Sequence, residues 1–172
     1  MLPGRIAVAA LVGLGACVTL VACEDGSSDT CNTTCGPCSA LVTRILDGDT
    51  AELENGDKVR YIGVDTPETT SGKDECFGDE ARQFNEDLVL NRTVRLEYDV
   101  ECTDHFGRTL AYLWIDNRLV NLELIERGYG CELYVPPTDR YRSEMQAAEA
   151  SAMAAGKGLW GACAGRLPPC AD

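Results

Sequence analysis

From Ala40 onward the apolar positions fall into two rhythms. "ALVTRILD" (40–47) is a partly alternating, β-branched run with the period of a half-buried strand, and "TAEL" (50–53) continues it. Asn55-Gly56 is a hairpin turn signal, with "KVRYIGV" (58–64) as the return strand. "DEARQFNEDLVL" (79–90) changes to helical spacing, with Ala81, Phe84 and Leu88 on one apolar face. "TVRLEYDV" (93–100) and "RTLAYLWI" (108–115) read as strands, and Asp116-Asn117 makes a tight turn into Leu119-Val120. "NLELIERG" (121–128) reads as a short helix with Asn121 as its cap and Gly128 as its stop. A longer helix is predicted over 139–156, capped by Thr138 or Asp139 and ended by Gly156, with Tyr141, Met145 and Ala148 on its inner stripe.

Three strands, a helix, two strands and two helices predict an α+β fold dominated by β. The order suits a five-stranded OB-type barrel with about three flanking helices. No segment repeats.

The first 22 residues have a different pattern. Arg5 precedes an unbroken apolar run from Ile6 to Ala22, short for a membrane span and suited to the core of a signal peptide. The run ends in "LVAC" (20–23), which resembles a bacterial lipobox and makes Cys23 the candidate lipidation site. An ordinary signal peptide cut nearby is the alternative. Acyl chains at Cys23 would hold the protein at a membrane surface, exported to the periplasmic or extracellular side. Residues 23–39 then read as a polar tether, 40–163 as the folded domain and 164–172 as a tail.

Export changes the reading of the cysteines. Ten are present, and eight remain beyond Cys17 and Cys23. An even number in an oxidising compartment predicts disulfides, with the pairing left open. A zinc site is a poor alternative, because His105 is the single histidine and thiolates do not persist there. "CGPC" (35–38) matches the active-site motif of disulfide oxidoreductases. That chemistry needs a βαβ unit with the cysteines at a helix N-terminus after a strand. Here they follow the tether and precede a strand, which favours structural disulfides.

Charge sets a further limit. Without Arg5 the chain holds 14 basic and 28 acidic residues, a net of −14. A polyanion is repelled at long range, which argues against a high-affinity nucleic-acid binder but permits an enzyme with a local positive site.

Polar residues concentrate in "LDGDT" (46–50), "RYIGVDTPE" (60–68) and "DHFGRTLAY" (104–112). A hairpin centred on Asn55-Gly56 sets Asp65 opposite residue 46, beside Asp47 and Asp49. Oxygen ligands without histidine suit Ca²⁺ or Mg²⁺. Solvated turn aspartates are the other reading, and spacing does not choose between them. Arg60 lies on the same strand, Glu68 follows a stiffening Thr66-Pro67, and Arg108 opens another strand. Two guanidiniums, a carboxylate-bound cation and a further carboxylate suit a phosphodiester.

These motifs, with "ECFGDEA", "VNLELIERGYG" and "GLWGAC", resemble the thermonuclease family, whose type member is staphylococcal nuclease, over about residues 40–163. The resemblance implies an OB barrel and a Ca²⁺-dependent nuclease for DNA and RNA; the chain is expected to act as a monomer. In such enzymes water attacks in line and leaves a 3′-phosphate and a 5′-hydroxyl. Asp49 and Asp65 would be metal ligands, with Thr66 through its carbonyl. Glu68 would be the general base or water-positioning group, and Arg60 and Arg108 the phosphate clamps. Departures lie in substrate binding. Lys-Tyr of the type member is His105-Phe106 here, Tyr134 matches a nucleotide-stacking tyrosine, and Pro136 replaces a second one. Phe106 is expected in the core rather than on a base, and His105 as a phosphate contact or a solvated loop residue. The altered pocket and the net charge imply weaker, more salt-sensitive binding. They also leave a non-catalytic OB binding module, for nucleic acid or a protein, as the second reading.

Overall fold

Alternation along the first strand breaks once, and the break aims a carboxylate inward. Strand β1 (Ser39–Asp47) buries Ala40 and Val42, and then, across a register shift in its pairing, Ile45 and Asp47. A bulge of this kind re-aims the side chains beyond it. The computed structural model describes residues 34–69 and 75–165. The signal segment, Cys23 and the first part of the tether lie outside the described residues.

Strand β2 (Thr50–Leu53) pairs antiparallel with β1 and with β3 (Lys58–Tyr61). Strand β4 (Val64–Asp65) follows, then helix α1 (Gly78–Val89), β5 (Thr93–Glu97) and β6 (Thr109–Ile115). The order β3-β2-β1-β5-β6 closes through parallel pairing of β3 with β6, giving the expected five-stranded barrel. The rest of the described chain adds β7 (Arg118–Leu119), α2 (Val120–Glu126), β8 (Cys131–Glu132), α3 (Arg142–Ala154) and α4 (Leu159–Ala162). The four helices are one more than the sequence pattern predicts.

The hairpin differs from its prediction. Leu53 N–H donates to Asp57 O, so the loop has three residues, with Gly56 at φ 87°. The pairing is therefore Thr50 with Arg60, one residue from the register of a two-residue turn. The return strand also stops at Tyr61. Gly63 turns the chain at φ 79°, and Asp65 pairs with Cys131 of β8 instead of facing residue 46. The Asp116-Asn117 turn is as expected, with both residues at positive φ (48° and 60°).

The predicted helix caps are not where the structure puts these side chains. Asn121 lies inside α2 and is fully buried. Its side chain accepts from Leu113 N–H at 2.9 Å and donates to Ile62 O at 2.9 Å. It ties the helix to the barrel. Thr138 Oγ1 donates to Val135 O, and α3 starts only at Arg142 with no side-chain cap.

The core runs through the barrel and under α2, with Val42, Leu53, Val59, Leu96, Leu113 and Leu124 buried. Two disulfides, Cys35–Cys102 and Cys76–Cys163, span 67 and 87 residues. In the chain-entropy account, loops of this length are each worth about 4–5 kcal/mol. Cys38 and Cys131 are also disulfide-bonded. Because Cys35 pairs with Cys102 and not with Cys38, the "CGPC" pair is not a dithiol couple. No helix among the described residues is long and apolar enough to cross a membrane.

Candidate active site

The end of β1, the start of β2 and the segment after β3 place their polar side chains together. Asp47 and Asp49 flank the β1–β2 turn and are both buried. Asp49 Oδ2 accepts from Thr66 N–H at 2.9 Å and Thr66 Oγ1 at 3.1 Å, while Oδ1 accepts from Thr50 Oγ1 at 2.9 Å. Helix α1 contributes Asn85, fully buried, which donates to Asp47 O and accepts from Tyr61 Oη. This asparagine locks the turn to the helix, and no sequence motif marks it.

Arg60 crosses the cluster from β3. Its Nη2 donates to Asp65 Oδ1 at 2.7 Å and lies 3.2 Å from Asp49 Oδ2. Nη1 donates to the carbonyl oxygens of Tyr61 (2.8 Å) and Val64 (2.6 Å). The two carbonyls hold the guanidinium in one orientation, so the side chain expected as a phosphate clamp is also the counter-ion of two carboxylates. Glu68 joins from the far side of Pro67. Its N–H donates to Glu75 Oε2 at 2.9 Å, and its carboxyl lies close enough to raise the pKa of Asp47.

The electrostatics record a surplus of negative charge. Burial is the largest reason that Asp47 is pushed up to about 7; the Gly48 N–H opposes it, and Asp49 and Glu68 add to it. Burial also pushes Asp65 up to about 6, against the pull of Arg60 and with repulsion from Asp49, Glu68 and Glu75. Glu75 belongs to the cluster although the residue pattern assigned it no role; its place in "ECFGDEA" was the available signal. No group of three or more His, Cys, Asp or Glu side chains among the described residues forms a ready metal cage. The donor set nevertheless fits a hard cation: it is all oxygen, and Arg60 alone does not balance it.

A groove of about 330 Å³ opens beside the cluster, with Arg60 and Arg108 both in its lining. Parallel pairing of Arg60 with Leu110 sets the two arginine-bearing segments next to each other. Arg108 is held within its own turn, where Asp104 Oδ2 accepts from Nε at 2.6 Å. His105 lines the groove and is exposed, its ring 3.7 Å from that of Phe106. Phe106 is 72% exposed, which corrects the expectation of a core phenylalanine. The turn lifts it off the barrel, with Arg108 at 5.3 Å from its ring. Tyr134 stands beside the groove rather than in its wall. The Arg142 guanidinium lies 3.7 Å from its ring centroid, and its neighbours Leu133 and Val135 face the groove.

A barrel, a buried carboxylate cluster and an arginine-lined groove in this arrangement can be compared with known proteins. Residues 58–162 match the family model described as "Staphylococcal nuclease homologue". The chain is 38% identical to the thermonuclease of Staphylococcus intermedius over 127 residues, covering 71% of this chain and 76% of that one. It is 36% identical to the thermonuclease of Staphylococcus hyicus, covering 69% and 73%. It is 34% identical to endonuclease YncB of Bacillus subtilis, covering 71% and 61%. The chain belongs to the staphylococcal nuclease family, as a thermonuclease-like phosphodiester hydrolase.

Proposed function

We propose that the protein is a Ca²⁺-dependent nuclease of DNA and RNA that leaves 3′-phosphate and 5′-hydroxyl ends. One observation carries this reading: Arg60 links the carboxylate cluster to the groove that Arg108 also lines. Asp49 and Asp65 would hold the cation, with Thr66 adding its carbonyl. A bound hard cation supplies Lewis-acid polarisation of a phosphoryl oxygen and neutralises charge building on phosphorus. Glu68 takes a proton from the attacking water or orients it, a task supported by its place at the edge of the cluster. Arg60 and Arg108 stabilise the developing negative charge. His105, Phe106 and Tyr134 contact the flanking nucleotides, Phe106 by stacking.

The leader pattern supports export as a lipoprotein acylated at Cys23, and the oxidised cysteines fit that compartment. We assign the protein to the outer side of a membrane, working as a monomer.

The test uses the oxidised chain from residue 24, with Cys23 omitted. It is incubated with single-stranded DNA and with RNA, in Ca²⁺ and in EDTA, beside Glu68→Gln. The expected result is Ca²⁺-dependent cleavage that falls by about 10²–10⁴ in the variant, with phosphate on the 3′ ends. Absence of cleavage by folded protein at low salt, in Ca²⁺ or Mg²⁺, would leave a binding module in its place.

A further inference from the structure

The "CGPC" segment has no task in the chemistry above, yet the fold holds it tightly. Tyr98 is only 4% exposed, and its Oη donates to Pro37 O at 2.7 Å. Leu96 N–H donates to Cys38 O at 2.8 Å. A Cβ on Gly36 would lie 2.6 Å from Tyr98 Oη, so only glycine lets the segment come this close. The end of β5 thus supports residues 36–38, and Cys35 reaches Cys102.

Cys102 is the base of the Arg108 turn. Its carbonyl accepts from Leu110 N–H at 2.9 Å, and Thr103 bridges Thr109. Inside the turn, Asp104 Oδ1 accepts from the N–H of Phe106 and of Arg108, both at 2.9 Å, and Gly107 N–H donates to Asp104 O. The turn is therefore rigid in itself, and its attitude on the barrel is set at its two ends. One end is β6. At the other, Asp99 accepts from Tyr112 Oη, but Val100 and Glu101 after it are exposed; Cys102 is then tied to β6 through Leu110, and the disulfide is its hold from outside β6.

We infer that the Cys35–Cys102 disulfide, with the Tyr98-braced segment behind it, is a positioning element that sets the Arg108 turn against the groove. This rests on the reading of Arg108 as a phosphate clamp. The disulfide touches no substrate; it acts through the turn.

The test combines hydrogen exchange with a kinetic cycle on the oxidised protein. In Cys35→Ser/Cys102→Ser, the amides of Gly107, Arg108 and Leu110 exchange at least about tenfold faster while those of β2 and β3 do not change. With single-stranded DNA and Ca²⁺, kcat/KM falls about tenfold. In an Arg108→Lys background the same opening costs less than about twofold, because the clamp it positions is already impaired. Equal losses in both backgrounds, or faster exchange spread evenly over the barrel, would overturn the inference. Arg108→Lys without effect in the intact protein would instead sink the clamp reading, and the exchange pattern would still decide whether the disulfide orders the turn. Tyr98→Phe keeps the disulfide and the ring, and gives a smaller shift of the same amides if the double variant does not fold.

Discussion

Arg60 Nη2 and Asp49 Oδ2 stand 3.2 Å apart, and their side chains are only 12% and 7% exposed. Removing one partner of a pair this buried leaves the other uncompensated. Arg60→Gln is expected to destabilise the cation-free protein by about 3 kcal/mol. If Ca²⁺ binds these carboxylates as proposed, it replaces the lost positive charge and the deficit narrows in saturating Ca²⁺. Urea unfolding in EDTA and in Ca²⁺ measures both, and an equal deficit in the two conditions contradicts a cation at this cluster.

Phe106 is 72% exposed at the tip of the Arg108 turn, so it contributes little to the core. Phe106→Ala should leave the melting temperature within a degree or two. If the ring stacks on a base, the lost contact is worth about 1–3 kcal/mol and KM rises about fivefold to a hundredfold. Steady-state kinetics on single-stranded DNA, with kcat read separately, check this.

Asn121 has no exposed surface, and its amide serves the backbone of β6 and the segment after β3. Asn121→Ala removes these bonds and leaves Leu113 N–H and Ile62 O buried without their partner. The expected cost is about 2–4 kcal/mol, seen as a lower urea midpoint. Activity survives where the variant remains folded.

Glu97 gives a prediction in pH. Burial pushes its carboxyl up, but hydrogen bonds from Arg140 (2.7 Å) and Tyr141 (2.8 Å), with the charges of Arg140 and Arg95, outweigh burial and hold it below its ordinary 4.5. A depressed native value means that the stability it contributes is full above the ordinary, unfolded value and is lost as pH falls through the folded one. Glu97→Gln should therefore flatten the acid limb of the stability curve below the ordinary glutamate value and lower stability at pH 7. An unchanged acid limb contradicts the ion pair.

Most of the fold could be read in advance. Strand alternation in "ALVTRILD" and helical spacing of Ala81, Phe84 and Leu88 are local consequences of which faces are buried, and local patterns survive folding. Register did not follow, because a third loop residue with Gly56 at positive φ shifts pairing by one without altering the alternation. Asn121 and Thr138 look like helix caps in sequence, where a polar residue before an apolar run has that meaning. In the molecule the partners of Asn121 are an amide and a carbonyl brought near by the barrel, while Thr138 turns back onto Val135 O, three residues earlier in its own loop.

The residue types of the site, the family likeness and the even cysteine count were legible before folding, because each is a matter of identity and spacing along the chain. Only in the folded molecule does Arg60 bridge Asp49 and Asp65, do Glu75 and Asn85 join the cluster, and does Cys35 pair with Cys102. The first depends on a turn at Gly63 that ends a strand early, and the others on how α1 packs on β1 and how β1 pairs with β5. Most of these contacts join different elements of the fold. Their geometry follows from where the whole core lets the backbone run, and no local pattern carries that information.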